Sequence, residues 1–413
     1  MPQGSNLGPL LFLIFINDLS EAVNCNIKLF ADDTCLYVIV EDKDQATQSL
    51  NENLENVKQW ADQWVVDFNA AKTKSMTISN KNVLYPPIIF DGKELEDVTC
   101  HKHLGLTLNR NLNWSDHIDG LIHDVSKILD VMRKLKYDVD RESLEKIYFS
   151  FIRPKLEYAC QIWDSCQIRD NDRLENLQLC AARIVTGAKK GTSHQRLYED
   201  VSWPKLSDRR AHIKLLHMHK IVNANVPPYL SQVLPQRVAE NTHYELRDRN
   251  HIKQFQCRTE KFRKSFFPDC IRIWNNLDES TRSMDDLTSF KNSLTDISLK
   301  SPCLYNYGKR KYNIIHAQLR LKCSNLKAHL TALHVIDNPQ CHCSFGIEDN
   351  HHFFFQCPLY YIQREQLKNA VQQYTTFELN VLLFGDKQLK LEQNKYIFAA
   401  VHTYIKDSQR FVD

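Results

Sequence analysis

Two groups of residues have the types and spacing to do chemistry. The first is Asp32-Asp33, set between two β-rich runs, residues 27–30 and 35–40, in the order Phe30-Ala31-Asp32-Asp33-Thr34. That pattern predicts a hairpin carrying both carboxylates at its tip. Adjacent acids on a tight turn repel one another, and a divalent cation shared with phosphate oxygens is the usual relief. Without such a partner the pair supplies only the chemistry of a solvated turn. The second group is Cys341-His342-Cys343, followed by Gly346, Glu348, His351-His352 and Cys357-Pro358. Thiolates and imidazole at this spacing suit tetrahedral zinc, closed by Cys341, Cys343, His352 and Cys357. His351 or His342 could replace His352, since spacing alone does not exclude a shift by one residue. The plain alternative is a set of core cysteines beside a satisfied histidine.

Positioning these groups requires elements that the sequence also predicts. Ser5 or Asn6 can cap a helix running Leu10-Leu11-Phe12-Leu13-Ile14-Phe15-Ile16, apolar on every side, which has to be buried under a sheet. Residues 44–68 have helical spacing at Leu50, Leu54, Val57 and Trp60/Ala61, and this helix should cross one face of that sheet. Asn69-Ala70-Ala71-Lys72 then forms a turn into a strand over 75–78, and Asp91-Gly92 marks a hairpin turn. From Trp114 the chain reads as helical. Leu144, Ile147, Phe151 and Leu156 form one apolar stripe, and Leu174, Leu177, Ala181 and Ile184 form another. A helix opening at Arg209-Arg210 closes near Asn223, and Pro227-Pro228 marks a domain boundary. Beyond it, Phe353-Phe354-Phe355 could stack on bases or serve a small core beside the metal, covered by residues 382–385 and a closing helix over 397–405.

A chain of 413 residues is too long for one hydrophobic core and suggests two to four domains. The net charge of +3 announces no nucleic-acid binder, but its distribution is uneven. Residues 241–330 hold 17 Lys/Arg against 9 Asp/Glu, whereas residues 1–60 hold 3 against 9. An acidic region that needs cations and a basic one that takes phosphates fit a polymerase, and solvated helix faces explain either half as well. Thirteen scattered cysteines without a signal peptide point to a reducing compartment. The apolar run over 7–16 lacks a basic leader and contains Gly8-Pro9, so it reads as a buried helix and not as a membrane or targeting segment.

The stretch Pro2-Gln3-Gly4-Ser5, Leu7-Gly8-Pro9-Leu10-Leu11-Phe12 and Phe30-Ala31-Asp32-Asp33 resembles the palm of a reverse transcriptase from a non-LTR (LINE, jockey-type) retrotransposon. The resemblance implies that Gln3, Gly4 and Ser5 fall in the nucleotide and template pocket, and that Asp32 and Asp33 hold catalytic magnesium or manganese. It places Asn69 and Lys72 in an Asn-x-x-Lys turn near the triphosphate. There Lys72 could supply charge or a proton to the leaving pyrophosphate, unless it is simply an exposed turn lysine. Residues 101–106 resemble the primer-grip strand, where Gly105 lets the primer end come close. The run Arg153-Pro154-Lys155-Leu156-Glu157-Tyr158 resembles the thumb that follows, so Arg183, Lys189 and Lys190 are candidate phosphate contacts, with solvated surface cations as the alternative. The ending Cys-x-Cys, His, Cys-Pro, followed by Arg364, closes many such proteins, in which it is thought to help bind template RNA or target DNA.

The implied fold is α+β: a partial palm with an antiparallel sheet and helices on one face, a mainly helical thumb, and a small zinc-binding C-terminal domain. The expected boundaries are 1–113 for the palm, 114–226 for the thumb, 227–335 for a basic connection and 336–413 for the zinc knuckle. The implied reaction adds deoxynucleotides to a primer 3′ end on an RNA template by two-metal phosphoryl transfer. Its partners would be element RNA, target-site DNA and dNTPs, in the nucleus after passage through the cytoplasm. The palm of this family draws a third carboxylate from a strand N-terminal to Pro2. That strand and the fingers are expected to be missing from a sequence that starts at Met1, which would leave the chain inactive by itself. The competing readings are a non-catalytic nucleic-acid-binding relic and a host interaction protein built from a former polymerase.

Overall fold

The computed structural model describes residues 5, 7–79, 81, 83–238, 250–294 and 303–411. They divide into two compact units, 1–117 and 118–413.

The first unit opens with α1 (Gly8–Ile16). Next come β1 (Asn26–Phe30), β2 (Asp33–Tyr37) and α2 (Lys43–Trp64). Short strands follow: β3 (Lys74–Ser75), β4 (Ile89–Phe90), β5 (Lys93–Glu94), β6 (Glu96–Asp97), β7 (Cys100–His103) and β8 (Leu106–Asn109). Its core joins Ile16, Leu19, Leu54, Val57, Trp60, Phe90 and Leu95, with Ile27, Leu29 and Leu36 of the first hairpin packed against it. Asp42 caps α2 by accepting from the amides of Asp44 and Gln45. The helix ends at Trp64 and not at residue 68, because Val65 takes a left-handed conformation (φ 56°) that α-helix cannot continue through.

The expected palm sheet is present among the described residues only as two-stranded ladders. β1–β2, β4–β5 and β7–β8 are antiparallel, and β3–β6 is parallel. The strand expected over 75–78 is confined to Lys74–Ser75, whose partner Glu96–Asp97 is equally short. With so narrow a sheet, α1 has no broad apolar face to lie under. Phe12, Phe15 and Ile16 reach the core, while Leu10, Leu11, Leu13 and Ile14 are more than half exposed. Nor is α1 capped by a polar side chain: Leu7 occupies that position, Ser5 is exposed outside the helix, and Asn6 lies outside the described residues.

The second unit is helical. After α3 (Ser115–Leu135), within which the division falls, come α4 (Arg141–Ile147), a π-helical turn (Tyr148–Ile152), α5 (Arg153–Glu157), α6 (Cys160–Trp163), α7 (Ile168–Thr186), α8 (His194–Val201) and α9 (Leu206–Val222). Then follow α10 (Pro228–Ser231), α11 (Glu260–Arg263), α12 (Phe266–Asn275), α13 (Glu279–Arg282), α14 (Leu287–Leu294), α15 (Arg310–Arg320), α16 (Lys327–Ala332), α17 (Tyr361–Gln372), α18 (Leu379–Phe384) and α19 (Leu391–Asp407). The stripe on α7 is buried at Leu174, Leu177, Ala181 and Ile184. The stripe over α4 and α5 is not the expected one. The π turn adds a residue to the helical repeat, so Leu144, Tyr148, Ile152 and Leu156 are buried and Phe151 faces solvent.

One C-terminal core draws Leu304, Tyr305, Ile315, Leu319 and Leu326 together with Cys341, Phe353, Phe354, Leu382, Phe398 and Tyr404, from both sides of position 335. Helix α15 ties this core to the earlier helices. Arg310 donates to the carbonyls of Lys136, Ile184 and Val185, and Gln318 to that of Gly187. Arg320 and Arg141 both bond the buried Asp200. Among the described residues no helix is long and apolar enough to cross a membrane.

Candidate metal sites

The β1–β2 register pairs Phe30 with Asp33, leaving Ala31 and Asp32 as a two-residue turn with Ala31 at φ 51°. Asp32 is the apex, Asp33 opens β2, and both are exposed. The alternation along β1 turns Ile27 and Leu29 inward, and the hairpin is pinned at its entry from α2. There the buried Asn53 accepts from the amides of Asn24 (2.6 Å) and Cys25 (3.2 Å). Trp60 on the same helix donates to Asp18 at 3.1 Å, fixing the segment between α1 and β1. Asn53 was not singled out from sequence; nothing distinguishes it there from the other polar residues of the helix.

The other expected nucleotide-site residues have local roles. Asn69 closes its own turn, its side chain and carbonyl both accepting from the Lys72 amide at 3.1 and 3.0 Å, while the Lys72 side chain is exposed. Gly105 (φ 81°) follows Leu104 (φ 46°) in the tight turn of the β7–β8 hairpin, a position suited to glycine. Gln3 and Gly4 lie outside the described residues. Of the candidate phosphate contacts, Lys190 is exposed, Lys189 bonds Asn325, and Arg183 is half-buried.

At the C-terminus, Cys341, Cys343, His352 and Cys357 bring one ligand atom each to within 4.8 Å of one another, a group that could hold a metal ion. A tight loop builds the first half. Gln340 and Ile347 bridge as antiparallel neighbours, Cys341 N donates to Gly346 O at 2.9 Å, and Ser344 N to Cys341 O at 3.1 Å. The second half is a π-helical turn, His352–Gln356, closed by Cys357 N donating back to His352 O at 2.8 Å. The Cys341 and Cys357 sulfurs are 3.8 Å apart. Two thiolates on one tetrahedral zinc, each at about 2.3 Å from it, would stand at about that separation. His352 Nε2 lies 3.2 Å from Cys343 Sγ. His342 and His351 are exposed and outside the group, so the alternatives left open by spacing are not the ones the fold assembles.

Burial pushes the Cys341 thiol up and the Cys357 thiol to about 12. Burial also opposes ionisation of Cys343, but the Phe345 N–H and the neighbouring thiols outweigh it and hold this group below its ordinary value. Three thiolates crowded together need a cation, and a bound divalent ion supplies that charge. Hydrogen bonds hold the backbone beside the ligands. His352 N donates to Asp349 Oδ1 at 2.7 Å, and Arg364 donates to the Cys357 carbonyl. Phe353 and Phe354 are fully buried against Tyr360, Tyr404 and Phe411, so they serve the core and offer no face for a base.

Residues 1–108 match the family described as reverse transcriptase (RNA-dependent DNA polymerase). The chain is 28% identical over 239 residues to the RNA-directed DNA polymerase from mobile element jockey of Drosophila melanogaster, covering 55% of this chain and 26% of that protein. It is 30% identical over 220 residues to its counterpart in Drosophila funebris, covering 51% and 24%. Over 216 residues it is 24% identical to the probable RNA-directed DNA polymerase from transposon X-element of Drosophila melanogaster, covering 50% and 24%. These matches each span about a quarter of the relative's length.

Proposed function

We propose, from the chain's likeness to the reverse transcriptases of non-LTR retrotransposons, that it is a segment of an RNA-directed DNA polymerase. On this reading the chain carries palm carboxylates, a nucleic-acid-binding helical region and a zinc-binding end. The observation that carries it is the Asp32–Asp33 hairpin apex, lying inside the stretch that matches the reverse transcriptase family. In two-metal phosphoryl transfer one ion lowers the pKa of the primer hydroxyl and the other holds the leaving phosphates. Asp32 and Asp33 would hold magnesium or manganese, and Lys72 would stand near the triphosphate. Gln3, Gly4, Ser5, Asn69 and Gly105 are proposed to shape the nucleotide and template pocket.

The template would be element RNA and the primer nicked target-site DNA, with synthesis in the nucleus. Residues 114–226 would act as thumb, 227–335 as a basic connection, and 336–413 as the zinc-knuckle domain holding zinc through Cys341, Cys343, His352 and Cys357. A second reading is that the isolated chain binds nucleic acid without polymerising. It is supported by the Cys341, Cys343, His352 and Cys357 group, which could hold a metal ion without the palm carboxylates. Primer extension on homopolymer RNA with magnesium or manganese separates the two. Absence of extension is expected of the isolated chain, and incorporation that disappears in Asp32→Ala would establish an active polymerase and overturn the second reading.

A further inference from the structure

We infer that the four-ligand group is an oxidation site as well as a metal site: a hydroperoxide reacts at Cys343, the oxidised sulfur pairs with Cys357 in a disulfide, and zinc is released. The inference rests on the zinc-binding end of the proposed polymerase segment. Its basis is that the three sulfurs are crowded together but not equivalent. Those of Cys341 and Cys357 are 3.8 Å apart, and Cys343 Sγ lies within 4.8 Å of both. Each sulfur accepts from the main-chain amide two residues on, those of Cys343, Phe345 and Leu359 in turn, so hydrogen bonding sets none of them apart. Access separates them. Cys341 and Cys357 are 4% and 0% exposed, whereas Cys343 is half-buried between the exposed His342 and Ser344. A peroxide in solution therefore meets Cys343 first, because oxidation of a thiolate follows its exposure.

The Cys343 thiolate attacks one oxygen of hydrogen peroxide. The S–O bond forms, the O–O bond breaks, and the other oxygen takes up a proton and leaves as water. The Cys357 thiolate then attacks the sulfenic sulfur. The S–S bond forms, the S–O bond breaks, and a second proton carries that oxygen away as water. The two sulfurs give up two electrons, and the peroxide accepts them. Cys357 is the partner because of where it stands in the chain. Cys341 is separated from Cys343 by one residue, on a loop held by the Cys341 N–Gly346 O and Ser344 N–Cys341 O bonds, which leaves little room for the geometry a disulfide demands. Cys357 closes the separate π-helical turn. Zinc would then keep only Cys341 and His352, too few ligands for a closed tetrahedral site. The disulfide joins the same two halves that the metal joins, so a reductant restores the site.

The test treats the full, zinc-loaded chain with hydrogen peroxide, reading zinc release with a chromogenic chelator and disulfides by peptide mass mapping. The zinc content of the untreated chain is measured first. One zinc released per chain, a Cys343–Cys357 disulfide, and zinc uptake restored by dithiothreitol are expected. Cys343→His keeps four ligands and removes the entry thiol, so it should slow release about tenfold or more. Cys100→Ser, which removes an exposed thiol outside the group, should leave release unchanged. Should Cys343→His fail to take up zinc, the wild-type mass map decides. Zinc retained through the treatment, or released with Cys341 in the disulfide or with no disulfide, would overturn this inference while leaving the zinc-binding reading intact. An untreated chain that holds no zinc would remove that reading, and this inference with it.

Discussion

Arg410 grips Glu348 with two hydrogen bonds of 2.6 Å, from Nε to Oε1 and from Nη2 to Oε2, at a carboxylate whose side chain is 1% exposed. Glu348 lies between Cys343 and His352 in the chain, and it also accepts from the Lys327 amide at 2.9 Å. Arg410, three residues beyond α19, and the start of α16 are thereby held to the loop between the ligand pairs. Cutting one partner from a buried pair costs about 3–5 kcal/mol, because the survivor's charge is stranded. Arg410→Ala should accordingly lower the urea midpoint of the second unit and weaken metal retention against a chelator. An unchanged midpoint would show the pair to be incidental.

The four-ligand group should bind one zinc ion per chain. Structural zinc contributes on the order of 10 kcal/mol of folding free energy in small domains, more than enough to order a loop of this size. Cys357→Ser leaves an open site and should release both the metal and α19, since Phe353 and Tyr404 share the adjacent core. His351→Ala should be mild, its ring lying outside the group. Metal analysis of the purified chain checks this. Less than half an equivalent of zinc before chelation, or folding indifferent to the chelator, would remove the site.

Asp200 supplies a pH dependence. Burial opposes its ionisation, but Arg141 and Arg320 outweigh that and hold its carboxyl below the ordinary value of 3.8. A folded-state pKa below the unfolded one contributes stability that is present above the unfolded value and lost as pH falls through the folded one. The second unit should therefore lose stability as the solution is acidified below the ordinary carboxylate range. Asp200→Asn should cost roughly 3–5 kcal/mol at neutral pH, because the buried Arg320 loses its ion partner and Arg141 keeps only Glu145 as a carboxylate partner. In that variant the acid loss should flatten, which a series of urea titrations at stepped pH reads directly.

What could be read from the residues depended on whether the signal was local. The Asp32–Asp33 apex was legible because strand runs and turn chemistry lie within about ten residues of each other. The four clustered ligands were legible because zinc geometry restricts residue type and spacing together. Phe151 was misassigned because a π turn shifts the helical repeat, and periodicity presumes a regular helix. The burial expected for α1 failed for a non-local reason: an apolar helix shows that cover is needed, not whether strands are there to give it. Likewise the pairing of Arg141 and Arg320 on Asp200 joins positions 59 and 120 residues from the acid, beyond the reach of any local pattern.

The most direct test of the central claim is equilibrium binding of a labelled DNA primer annealed to an RNA template by the full, zinc-loaded chain. The account predicts salt-dependent binding, weakened in Cys357→Ser and preserved in Asp32→Ala, since on the proposed reading the carboxylates would hold ions and not the duplex. Binding that is absent at low salt, or indifferent to the loss of Cys357, would contradict it.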